Sequence, residues 1–148
     1  MSAWFQKESP KVLIVEDDQH NHALFRDAFQ EKGFEVIICG TADGDFIAEV
    51  VSFGPDIISM DLMIGRADRV VERDGFEAIE LLKGDERTKD IPIMVVSNFF
   101  QDEKVERAKL LGVLDYFNVQ GQTITNIATR FKEFIENPKE YQPSHPSF

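Results

Sequence analysis

The chain has 148 residues, 43% of them apolar, and a formal net charge of -11. That length suits one domain with a full core, and the negative charge argues against a free-standing nucleic-acid binder or a protein held on an anionic membrane surface. A single cysteine, Cys39, excludes an internal disulfide and fits a reducing, cytoplasmic setting.

The opening residues MSAWFQKESP have neither a basic start nor an apolar stretch, so they do not read as a signal peptide. No apolar run approaches the length of a membrane span. Residues 1–10 read as an N-terminal extension, and Met1 with the trailing prolines favours a full-length chain.

From there, five short apolar stretches alternate with amphipathic segments. The first, Lys11–Glu16 (KVLIVE), is followed by a helical pattern over 19–32 with Ala23, Leu24, Ala28 and Phe29 at helical spacing and Gly33 as its stop. Phe34–Cys39 (FEVIIC) leads to a second helix over 45–53. Asp56–Met60 (DIISM) precedes a charged connection and a third helix over 75–83. Ile91–Ser97 (IPIMVVS) is followed by a fourth helix over 102–111, and Leu114–Val119 (LDYFNV) by a fifth over 122–136. Near-continuous apolar runs suit parallel strands covered on both faces. The repeated strand–helix pattern predicts right-handed crossovers and a five-stranded α/β layer fold. The last stretch, NPKEYQPSHPSF, has three prolines and no helical period, so residues 137–148 read as a flexible tail, with a docking tail as the other reading.

The chemistry concentrates at strand ends. In KVLIVEDDQ a buried strand runs into Glu16, Asp17 and Asp18, and PDIISMD ends the third strand in Asp61. The carboxyl ends of parallel strands share one edge, where α/β sheets hold their ligands. If the first and third strands are neighbours, Glu16, Asp17 and Asp61 converge. Two such charges about 4 Å apart repel by roughly 4 kcal/mol at an effective dielectric of about 20. A hard divalent cation such as Mg²⁺ removes that repulsion and prefers oxygen ligands. Asp18 reads instead as the cap of the helix beginning near Gln19. His20 and His22, two apart on a helix, point to different faces and read as surface residues rather than metal ligands.

Taken in order, VLIVEDD, IISMDLM, DGFEAIELLK, IPIMVVS and GVLDYF resemble the receiver domain of two-component response regulators over residues 11–136. The resemblance implies a flavodoxin-like α/β fold, a five-stranded parallel sheet in the order 2-1-3-4-5 with five helices on both faces. It implies that Asp61 is the phosphoacceptor, and that Glu16, Asp17, Asp61 and the backbone carbonyl of Met63 hold Mg²⁺. Ser97 matches the hydroxyl that bonds the phosphoryl group, and Tyr116 the aromatic that changes rotamer on activation. The implied function is that of a single-domain response regulator. It takes a phosphoryl group from a histidine kinase or phosphotransfer protein and acts through contacts with a downstream protein. Such a protein is a phosphoacceptor rather than an enzyme on a separate substrate. It would be a monomer or a weak phosphorylation-dependent dimer, and its signalling face maps to residues 101–136, with Phe99 and Phe100 at its start.

Two departures from the family pattern stand out. Val119 occupies the place of the usual fifth-strand lysine, and Asn98 is larger than the small residue usual beside the hydroxyl. The connection 62–73 is several residues longer than the family normally uses and carries Arg66, Arg69 and Arg73. It reads either as a solvated surface loop or as a shield and partner site beside the acceptor. Lys104, Arg66 and Arg69 are the candidate replacement cations. Val119 also supports a second reading, a phosphorylation-independent pseudo-receiver that serves as a binding module. A flavin carrier on the same fold would need a phosphate-binding loop after the first strand, where EDDQHNH offers negative charge instead.

Overall fold

The computed structural model describes residues 9–65 and 70–148. Five strands, β1 (Lys11–Val15), β2 (Glu35–Cys39), β3 (Ile57–Met60), β4 (Ile93–Ser97) and β5 (Asp115–Asn118), form one parallel sheet in the order β2-β1-β3-β4-β5. Five helices alternate with them: α1 (Gln19–Glu31), α2 (Phe46–Phe53), α3 (Gly75–Lys83), α4 (Asp102–Leu110) and α5 (Ile124–Glu136). This is the flavodoxin-like order that the family resemblance implies. Among the described residues no helix is long and apolar enough to cross a membrane.

The pleat divides the core into two layers. Leu13, Val15, Ile58, Met60, Val95 and Tyr116 face one side of the sheet, where they pack with α2, α3 and α4. Val12, Ile14, Ile57, Met94, Val96 and Phe117 face the other, where they meet Phe25, Phe29 and Phe131 from α1 and α5. Both faces of β1, β3 and β4 are therefore dry, which is why these strands read as unbroken apolar runs. On α1 the buried stripe is Phe25, Ala28 and Phe29. Leu24, expected on that face, points to solvent, because Phe25 and Phe29 stack four residues apart and set the helix rotation.

Local chemistry fixes the helix starts that border the site. Asp18 accepts from the His20 N–H at 3.0 Å and caps α1, as expected. Asp74 and Glu77 form a reciprocal capping box at the start of α3. Gly75 lies so close to the end of β3 that a Cβ there would sit 2.2 Å from the Asp61 carbonyl oxygen. Its N–H donates to the Leu62 carbonyl at 2.9 Å. Only a residue without a side chain lets α3 begin against β3 in this way.

The β3–α3 connection is anchored at both described ends. Leu62 and Ile64 are fully buried in the core, and Val70 is almost fully exposed. The Glu72 N–H donates to Asp43 at 2.7 Å, and the Arg73 guanidinium donates to the Ala42 and Gly44 carbonyls at 2.7 and 2.9 Å. The reading of 62–73 as a solvated loop thus fails for Leu62 and Ile64. Arg66 and Arg69 lie outside the described residues.

After α5 the chain turns back across the domain. Tyr141, Ser144 and His145 each hydrogen-bond the Asp115 carboxylate at the start of β5. These contacts hold part of the stretch 141–148 against β5, while residues 137–140 are exposed.

Candidate functional site

The carboxylates are positioned by main-chain bonds that continue past the strand ends. The Asp61 N–H donates to the Val15 carbonyl at 3.1 Å, and the Glu16 N–H to the Cys39 carbonyl at 3.0 Å. Glu16, Asp17 and Asp61 each place a carboxylate oxygen within 4.8 Å of the others. Glu16 and Asp17 are buried and Asp61 is half-buried.

Burial raises the Asp61 carboxyl to about 8, helped by the Glu16 charge and opposed by the Met63 N–H, which donates to it at 3.2 Å. Glu16 is raised as well, first by burial, although the Asp18 N–H donates to it at 3.0 Å. Three crowded carboxylates, two of them shifted toward the neutral form, fit a small divalent cation, which would restore their ionised state. Met63 borders the same cavity of about 250 Å³ as the three carboxylates.

A second cavity, of about 260 Å³, adjoins Asp61 on its other side. Ser97 and Asn98 line it from the end of β4, Asn21 from α1, and Val119 and Ile124 from beyond β5. The Ser97 hydroxyl accepts the Phe99 N–H at 3.2 Å. Tyr116 is buried, its hydroxyl donates to the Phe99 carbonyl at 2.7 Å, and burial pushes the phenol up to about 12. Ser97 and Tyr116 thus hold the same short segment, one at its N–H and the other at its carbonyl.

Among the described residues neither cavity is lined by a lysine or arginine. Val119 stands in an apolar wall with Phe25 and Ile124. Lys104 is placed elsewhere, with its ammonium 5.3 Å from the centre of the Phe99 ring and 6.0 Å from that of Phe76. Phe100 is exposed and Phe99 half-buried. A larger hollow, about 790 Å³, lies near Pro10 and Asp56, away from the carboxylates.

The sequence reading missed three contributors. Asn21 borders both cavities from the first turn of α1. His22 meets the Glu16 carbonyl at 2.6 Å through Nε2, outside the carboxylate cluster. Gly75 sets the approach of α3 to Asp61. The sequence signals were the helix start beside EDDQ and the Asp74-Gly75 pair.

A family model described as the response regulator receiver domain matches residues 12–123. The polar-differentiation response regulator DivK of Brucella ovis is 32% identical over 108 residues, which span 72% of this chain and 81% of that protein. The chemotaxis protein CheY4 of Vibrio cholerae shares the fold with a TM-score of 0.68 at 21% identity, covering 84% of this chain and 98% of that one. The phosphorylated cyanobacterial phytochrome response regulator RcpA does so with a TM-score of 0.69 at 21% identity, covering 88% of this chain and 96% of that one. With a sequence match running through all five strands and a sheet order shared with these structures, the chain belongs to the response regulator receiver domain family.

Proposed function

We propose that this chain is a cytoplasmic single-domain response regulator whose Asp61 accepts a phosphoryl group from a histidine kinase or phosphotransfer protein. The observation that carries the reading is the convergence of Glu16, Asp17 and Asp61 within 4.8 Å at the carboxyl edge of the sheet. Phosphorylation of the similar-fold protein RcpA is consistent with it.

In this reading an Asp61 carboxylate oxygen attacks the phosphorus of the donor. The P–N bond to the donor histidine breaks, its electron pair stays on the imidazole nitrogen, and an acyl phosphate remains on Asp61. Glu16, Asp17, Asp61 and the Met63 carbonyl would hold Mg²⁺, which supplies charge neutralisation at the transferred group. The Met63 N–H steadies one Asp61 oxygen from 3.2 Å and leaves the other to attack. The Ser97 hydroxyl, across the second cavity, gives up its Phe99 contact to donate to a phosphoryl oxygen. Because Tyr116 holds the carbonyl of the same Phe99, a shift of that segment reaches the β5 surface. The chain acts as a phosphoacceptor signalling through protein contacts, not as an enzyme on a separate substrate.

One observation favours the second reading, a phosphorylation-independent binding module: the apolar wall at Val119 where the family usually has a lysine. Incubation with acetyl phosphate and Mg²⁺, followed by intact mass, separates the two. A phosphoryl adduct that disappears in Asp61→Asn supports the first reading. No adduct, with undiminished partner binding by Asp61→Asn, supports the second.

A further inference from the structure

Asp115 at the start of β5 is fully buried, yet it has no ion pair among the described residues. Its carboxylate is met by donors instead. Besides the adjacent Tyr116 N–H at 2.8 Å, these come from the segment after α5: the Tyr141 hydroxyl, the Ser144 N–H at 2.7 Å and the His145 N–H at 3.0 Å. Arg130 on α5 forms the opposite wall. It donates to the Ser144 hydroxyl at 2.8 Å and to the Gln142 carbonyl, and its guanidinium lies 4.5 Å from the centre of the Tyr141 ring. At the far end, His145 and Phe148 pack on the ring of Tyr116, with centroids 5.7 and 6.4 Å away.

A segment that merely filled an apolar gap would be held by side-chain packing. Residues 141–148 are neither helix nor strand, and Tyr141, Pro143 and His145 are half-buried while Gln142, Ser144 and Pro146 are exposed. Side chains anchor them through the Tyr141 and Ser144 hydroxyls and the rings of Tyr141, His145 and Phe148, and the domain also takes main-chain groups, one carbonyl and two consecutive N–H groups. Those are the elements by which a groove recognises an extended peptide.

The geometry points to a peptide-binding groove formed by Asp115, Tyr116 and Arg130, with residues 141–148 seated in it as a built-in competitor. The partner it fits is a short peptide of the same chemistry. It offers a phenol and two consecutive backbone N–H groups to Asp115, a carbonyl to Arg130, and an aromatic side chain to Tyr116. Such a partner binds only by displacing the chain's own segment, which, tethered by a few residues after α5, sits at a high effective concentration.

The groove is tested on the full chain without Mg²⁺ or phosphodonor, so the outcome is independent of the reading of Asp61. The probe is a fluorescein-labelled peptide with the sequence of residues 138–148, followed by anisotropy. The variant Tyr141→Ala/His145→Ala/Phe148→Ala vacates the groove and leaves its walls intact. It is expected to bind the peptide at least about tenfold more tightly than the unmodified chain, and adding Asp115→Asn should abolish that binding. A second measurement needs no variant. In the ¹⁵N-labelled unmodified chain the Ser144 and His145 amides should be protected from hydrogen exchange and lose protection when excess unlabelled peptide is added. Amides that exchange freely from the outset overturn the proposal. So does protection that the peptide leaves unchanged, or equal binding by the vacated and unmodified chains.

Discussion

The backbone N–H of Asp61 donates to the carbonyl of Val15 at 3.1 Å. This bond carries the β1–β3 pairing one residue beyond Met60, into the turn where the acidic residues begin. The main chain therefore fixes Asp61 beside Glu16 and Asp17, and their repulsion is built into the fold rather than relieved by a side chain swinging away. Burial first, and this repulsion after it, raise the Asp61 and Glu16 carboxyl groups in the folded chain.

The first prediction follows from the raised Asp61 carboxyl. Asp61 sits at about 8 when folded, against an ordinary carboxyl value of 3.8. Between those two pH values the folded chain keeps a proton that the unfolded chain has released. The stability contributed by Asp61 is complete below the lower value and is lost as pH rises through the upper one. A metal must displace that proton, so Mg²⁺ affinity should rise by up to about tenfold per pH unit from pH 6 and level off near 8. Calorimetric titration with Mg²⁺ across pH 6 to 9 checks this, and a flat profile would contradict it.

Asp61→Asn should remove that buried carboxyl without metal. Each unit of pKa shift corresponds to about 1.4 kcal/mol, reduced in practice by relaxation and water access. The metal-free variant is expected to be more stable than the unmodified chain at pH 8 by about 1–3 kcal/mol, with the gain fading toward pH 4. Urea unfolding at the two pH values measures it. A variant equally stable at pH 8 would mean that burial and the neighbouring carboxylates do not hold Asp61 near 8.

Gly75 gives a structural prediction beside the same residue. A methyl group there would meet the Asp61 carbonyl oxygen at 2.2 Å and the Leu62 Cα at 2.5 Å, both main-chain atoms that cannot step aside independently. Gly75→Ala should therefore cost about 1–3 kcal/mol of stability. It should also weaken Mg²⁺ binding by displacing Asp61, even though the glycine contributes no ligand. Thermal unfolding and the same titration measure the two effects.

How much of this was legible follows from which contacts are local. Strand runs such as VLIV and IMVV announce themselves because β1 and β4 are covered on both faces, and Asp18 announces itself as a cap because capping acts over two residues. Asp61 could be paired with Glu16 and Asp17 once the sheet order was inferred. The Asp74-Gly75 pair marks a helix start, but the approach of Gly75 to Asp61 could not be read from it, because that constraint comes from β3 across space. Asp115 was equally silent, since its partners lie far along the chain in a stretch whose prolines and polar residues signal looseness. Leu24 and Phe25 are adjacent apolar residues of similar hydropathy, and only the ring contact with Phe29 decides which of them is buried.

Ser97 tests the link between the acceptor and the Phe99 segment. Its hydroxyl accepts the Phe99 N–H at 3.2 Å and faces Asp61 across the second cavity. Ser97→Ala should cost about 1 kcal/mol of stability for the lost hydrogen bond. If the hydroxyl also donates to the phosphoryl group, the adduct should accumulate about tenfold more slowly with acetyl phosphate. Ser97→Thr retains the hydroxyl and should restore the rate. A rate unchanged in Ser97→Ala would confine this residue to holding the loop.

Val119 is the position where adding chemistry is more informative than removing it. Its side chain borders the same cavity as Asp61 and Ser97, and Phe25 and Ile124 beside it can cover an aliphatic stem. Val119→Lys would extend an ammonium from that wall toward Asp61. An opposite charge favours the ionised carboxylate, so the Asp61 value should fall from about 8, by roughly one to two units. The plateau of the Mg²⁺ titration should move to lower pH by the same amount. A charge-assisted hydrogen bond contributes about 1.5–3 kcal/mol, so the added lysine should strengthen the coupling between phosphorylation and the Phe99–Tyr116 segment by about ten- to a hundredfold. Hydrogen exchange at the Phe99 and Tyr116 amides, with and without acetyl phosphate, reads that coupling. A plateau that stays near pH 8 would mean that the new ammonium turns to solvent and that position 119 does not address the acceptor.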